Sequence, residues 1–173
     1  HMAILIQNDA CEWLYFSVNG DNVYVSGEFS GGRKFNDIAV GEFDSPQEFL
    51  NSPYNSYGAS DDMSINTYGF SEGYMIPTSK EQDDIIRDTF ISISKNESYY
   101  FLGNNCSTVL QKSLEAAGII TFTQKSTRHR IPSRHYLGES SFIATISTSR
   151  PVIPSVSFRA IIKNNPQGKM IYR

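Results

Sequence analysis

The chain has 173 residues, 39% hydrophobic and 19% charged, with 15 Lys and Arg against 18 Asp and Glu for a formal net charge of −3. That length suits a single domain over 1–173 with a core of its own, and the slight acidic balance leaves no basic footprint for nucleic acid. No run approaches the roughly 18 apolar residues of a membrane span, and Cys11 and Cys106 are too few for a disulfide scaffold or a tetrahedral zinc site.

His1-Met2 reads as the remnant of an expression tag, which leaves His129 and His135 as the histidines of interest. Ala3-Ile4-Leu5-Ile6 is too short for a leader core and lacks a basic start, so the expectation is a soluble chain whose export uses no cleavable signal peptide. Trp13-Leu14-Tyr15-Phe16-Ser17-Val18 is apolar and aromatic, Asn19-Gly20-Asp21-Asn22 is turn chemistry, and residues 23–29 alternate as a second strand should. Residues 44–73 read as a long ordered loop rich in Ser, Asn and Tyr, with one helical turn at Ser45-Pro46-Gln47-Glu48-Phe49-Leu50. Thr78-Ser79-Lys80-Glu81 opens a helix, with Thr78 and Glu81 at capping-box spacing. Ile86, Phe90 and Ile93 give that helix a core face, and it ends near Lys95-Asn96.

The next segment carries the chemistry. Tyr99-Tyr100-Phe101-Leu102 leads through Gly103 into Asn104-Asn105-Cys106-Ser107-Thr108-Val109, and a second helix runs from there to a stop at Gly118. A thiol at a helix N-terminus meets unpaired N–H groups and the positive end of the dipole, which favour the nucleophilic thiolate. The alternative is a small core cysteine, because Cys106, Val109, Leu110 and Leu114 share one helical face. Asn105 reads as an N-cap; Asn104, Asn105 and the Cys106 N–H are also candidate oxyanion donors. Beyond Gly118, residues 119–122 read as a strand or a helix exit, and 142–146 and 156–162 as strands separated by Pro151 and Pro154. Arg128, Arg130 and Arg134 read as loop solvation, and His129 between two of them as solvent-facing. The fold class expected is α+β, with strands at both ends and two helices between.

The run Tyr100-Phe101-Leu102-Gly103-Asn104-Asn105-Cys106-Ser107-Thr108-Val109 resembles the nucleophile motif of the permuted, NlpC-type branch of papain-like cysteine hydrolases. Thr67-Tyr68-Gly69-Phe70 is similar to a segment that branch places before the nucleophile helix, and Ser79 with Glu81-Gln82 is similar to its preceding helix. The resemblance covers roughly residues 10–120. It implies an antiparallel sheet packed on a nucleophile-bearing helix, a histidine base, and acyl transfer on amide bonds without a cofactor or metal. Some members are bacterial effectors of contact-dependent secretion systems. That implies as partners a peptide or protein substrate or a host target, and a secretion apparatus or a cognate inhibitor protein; charge and hydropathy lead to the expectation of neither nucleic acid nor a membrane span.

The branch carries its histidine ahead of the cysteine, and here Cys11 stands in that slot. Three readings follow. His135, flanked by Ile131-Pro132 and Tyr136-Leu137, is the base that reaches Cys106, with His129 the other choice. Alternatively the chain is a silent hydrolase fold acting as a binding module. In the third, Cys11 and Cys106 pair as a disulfide that silences the nucleophile. Ser26, Glu28 and Glu12 are the candidates for a third polar member.

Overall fold

The computed structural model describes residues 1–20, 33–52, 55, 69–99, 103–132 and 143–173. In chain order its elements are β1 (Ala3–Gln7), β2 (Trp13–Gly20), β3 (Arg33–Phe43), α1 (Pro46–Asn51), β4 (Glu72–Met75) and α2 (Lys80–Asn96). They continue with β5 (Ser98–Tyr99), α3 (Cys106–Ala116), β6 (Thr127–Pro132), β7 (Ile143–Thr148), α4 (Pro154–Asn164) and β8 (Lys169–Tyr172). The class is mixed α+β, as the sequence implies, with small antiparallel sheets and, among the described residues, four helices. The predicted strand at 23–29 lies outside the described residues; β2 pairs with β1 on one edge and on the other with β3, unrecognised in the sequence.

A four-stranded sheet in the order β1-β2-β3-β5 forms the centre, and β4–β8 and β6–β7 are separate two-stranded ribbons. Alternation along β2 decides what each face of the sheet packs against. Leu14, Phe16 and Val18 point to one side, where Ile86, Phe90 and Ile93 of α2 and Cys106, Val109, Leu110 and Leu114 of α3 complete the main core. Trp13 and Tyr15 point to the other, against Phe43, Phe49, Leu50, Phe70 and Ile171. Tyr15 stacks on Phe49 with ring centroids 4.6 Å apart. The β2–β3 register shifts between Leu14 and Phe16, an irregularity centred on Tyr15. Burying each large apolar side chain of these two clusters contributes about 1.5–3 kcal/mol before entropy is charged against it.

Local chemistry sets the helix ends. Ser45 caps α1 by accepting from the Glu48 N–H, with Pro46 in the first turn. The capping box of α2 is Ser79 with Gln82, one residue on from the expected Thr78–Glu81 pair; the Thr78 hydroxyl instead donates to Asp83. Gln82 also donates through Nε2 to the Ala117 carbonyl at 2.9 Å, tying the start of α2 to the end of α3. α3 closes in a Schellman arrangement: Ile119 N–H donates to Leu114, and Gly118 N–H to Glu115, with Gly118 at φ +78°. Ile119 and Leu114 are both buried in the main core, the apolar contact that accompanies this motif. Residues 119–122 are therefore a helix exit and carry no strand.

The C-terminal third departs most from expectation. Residues 156–162 are not a strand but the body of α4, with Pro154 in its first turn, where proline's fixed φ suits a helix. Ser157 and Ile161 are its buried positions, four apart, which is helical spacing. The expected strand at 142–146 is present as β7, shifted to 143–148. β6 pairs with it in a stretch read from sequence as a solvated loop.

Candidate functional site at the head of the Cys106 helix

Cys106 is the first residue of α3 and is 7% exposed. Asn105 caps the helix, its Oδ1 accepting from the N–H groups of Ser107 at 3.0 Å and Thr108 at 3.2 Å. In return the Asn105 N–H donates to Thr108 Oγ1 at 2.8 Å. This reciprocal cap holds the first turn rigidly, and the Cys106 N–H is not among the groups it engages. Asn105 Nδ2 donates to the Val152 carbonyl at 2.9 Å, which fastens the helix head to the connection between β7 and α4. Lower on α3, Gln111 Nε2 reaches the same connection through the Pro151 carbonyl at 2.6 Å, and Ser157 Oγ at 2.7 Å. Asn104 belongs to a different group: its Nδ2 donates to Glu97 at 3.0 Å and its Oδ1 accepts from Lys112 at 2.9 Å. Both asparagine side chains thus serve structure, leaving the Cys106 N–H as the donor at this helix head from the set named in the sequence.

His129 is the histidine the sequence misjudged. It is 2% exposed, because β6 alternates and turns Arg128 and Arg130 outward while the ring between them turns inward. The Arg-His-Arg alternation was the available signal. Its Nε2 lies 3.0 Å from Thr148 Oγ1, on the paired strand, and accepts from the Val152 N–H at 3.4 Å. Val152 therefore touches the imidazole with its N–H and the cap of the cysteine helix with its carbonyl. Burial holds His129 below the usual histidine range, and a backbone hydrogen bond at Arg150 pulls the other way. The ring is uncharged at neutral pH.

His135 lies outside the described residues, as do Ser26 and Glu28. Glu12 sits in the β1–β2 turn, where its carboxylate accepts from Asn8 Nδ2 at 2.9 Å. Cys11, in the same turn, is exposed with φ 65°, whereas Cys106 is buried; both are free thiols, so the disulfide alternative falls. On the far face of the sheet, burial pushes the Tyr15 phenol up to about 12; a hydrogen bond with Ser17 lowers it and Cys106 raises it. His1 Nε2 lies 2.6 Å from Ser17 Oγ. Among the described residues no three His, Cys, Asp or Glu side chains come together to hold a metal, and no helix is long and apolar enough to cross a membrane. No family model, no characterised protein and no solved structure matches this chain.

Proposed function

We propose that this chain is a cysteine hydrolase of the papain-like, permuted NlpC type, acting on amide bonds with Cys106 as nucleophile and His135 as base. The observation that carries the proposal is the placement of Cys106 as first residue of a capped helix whose cap leaves the Cys106 N–H out. In the proposed reaction the imidazole takes the thiol proton, and sulfur adds to the amide carbonyl. The Cys106 N–H faces the developing oxyanion. Collapse breaks the C–N bond, the departing amine takes the proton back, and water then hydrolyses the thioester. With the His129 ring held by Thr148 and Val152, His135 is the base we name. Its role as a secreted bacterial effector, meeting a peptide or protein substrate and a cognate inhibitor, rests on the sequence resemblance.

A second reading, a catalytically silent binding module, is favoured by one observation: Cys106 is buried as a member of the main core cluster that also holds Phe16 and Val109. Covalent trapping with a peptidyl vinyl sulfone separates the two. The hydrolase reading expects the native chain to be modified at Cys106, and His135→Ala to slow this by about 100-fold or more. A His1→Ala control is expected to react like the parent. Modification confined to the exposed Cys11 would sink the hydrolase reading.

A further inference from the structure

The His129 ring and the cap of the Cys106 helix meet at one backbone unit, Val152. Every polar contact in the relay is buried or half-buried: His129 is 2% and Asn105 4% exposed. Thr148 has one hydroxyl proton and two acceptors within reach, the Arg150 carbonyl at 2.5 Å and His129 Nε2 at 3.0 Å. With Nε2 bare, the ring accepts from the Val152 N–H. With Nε2 protonated, the ring donates to Thr148 Oγ1 or to the Arg150 carbonyl, and the Val152 N–H faces another donor. The buried Nδ1 meets no partner among the described residues, so its N–H is unmatched in the bare-Nε2 ring and in the imidazolium alike, and what an added proton changes is Nε2. Protonation at Nε2 therefore breaks the Val152 N–H bond and places a charge in a buried site.

The charged groups on the surrounding elements do not compensate it. Glu115 of α3 is engaged by Arg150 at 3.2 Å and by Thr121. Lys112 is engaged by Glu97 at 2.8 Å and by Asn104. Arg128 and Arg130 on β6, and Arg159 and Lys163 on α4, are exposed. β7 carries no titratable side chain, and Cys106 is the remaining titratable group at the head of α3.

We propose that His129 is an acid-sensitive latch on the Cys106 helix. Uncharged, it seats the 148–152 turn against Asn105; on taking a proton it releases Val152, the cap loosens, and the first turn of α3 frays to expose Cys106. The regulatory meaning of the latch rests on Cys106 being the nucleophile, but the latch itself is read from thiol exposure without any substrate.

The test uses the full chain with Cys11→Ser, so that Cys106 is the sole thiol, and 4,4′-dithiodipyridine, which stays reactive in acid. Divided at each pH by the rate of the urea-unfolded chain, which cancels the falling thiolate fraction, the rate of Cys106 modification is expected to rise as pH falls below about 6.5, approaching about tenfold per pH unit, the slope of a single proton uptake. His129→Gln, which cannot take the proton, is expected to abolish that slope. Should His129→Gln not fold, hydrogen–deuterium exchange at the His129 C2 position in the parent chain gives the titration directly, and its midpoint is expected to coincide with Cys106 exposure. A flat profile in the parent, a slope that survives in His129→Gln, or a His129 that titrates while Cys106 stays protected overturns the proposal. Absence of amide turnover at every pH would instead sink the hydrolase and leave the latch standing.

Discussion

Asn105 closes a helix with one side-chain atom and anchors a distant turn with another. Asn105→Ala removes two accepted N–H bonds and leaves the buried Val152 carbonyl without that donor. The expected loss is about 1–3 kcal/mol of stability, measured as a shift in urea midpoint. Asn105 was legible in the sequence because a cap needs only its neighbours. His129 was not, because its burial depends on a strand partner and a turn some twenty residues away. Its effect on stability has a definite sign. Its folded-state affinity for a proton is lowered, so below about pH 6.5 the unfolded chain binds a proton that the folded chain refuses. The contribution is full above that pH and is lost as pH falls towards the depressed folded value. Urea midpoints of the parent should therefore fall between pH 7 and 5 more steeply than those of His129→Gln; parallel curves would contradict this.

At the scale of elements, the two central helices were readable and the C-terminal one, α4, was not. α2 and α3 announce themselves by cap, apolar spacing and terminator, and each of these is local. Phe90→Ala in the α2 core face should cost about 3–5 kcal/mol, while Ile120→Ala, at 54% exposed, should stay within about 0.5 kcal/mol. Gly118→Ala meets no atom within 4 Å of the added carbon, so its cost is backbone alone. At φ +78° that is about 1–2 kcal/mol, read from the thermal or urea midpoint, with Gly118→Asn costing less. α4 was missed because a short apolar run such as 156–162 fits either period. Pro154 as a helix opener and the four-residue spacing of Ser157 and Ile161 settle it only once the fold is seen. β3 was missed for a related reason: its pairing with β2 is specified by the partner strand as much as by its own residues.

At the scale of the whole molecule, the class and the capped cysteine helix follow from composition and local pattern. What surrounds that helix does not. The turn that meets Asn105 and Gln111 arrives from residues 151–152, and β8 pairs with β4 from the far end of the chain. Such long-range contacts place the site, and no local signal encodes them. They join a sheet packed on both faces, a helix head locked by its own cap, and a turn binding that cap to a buried histidine. Above these contacts stands the proposal that Cys106 breaks amide bonds. The most direct measurement is the release of new amino groups from purified peptidoglycan sacculi and from denatured casein, by the parent chain and by Cys106→Ala side by side. Release from at least one substrate by the parent is expected, with a loss of about 1,000-fold or more in the variant. Equal release by both proteins, or none from the parent on either substrate, would contradict it.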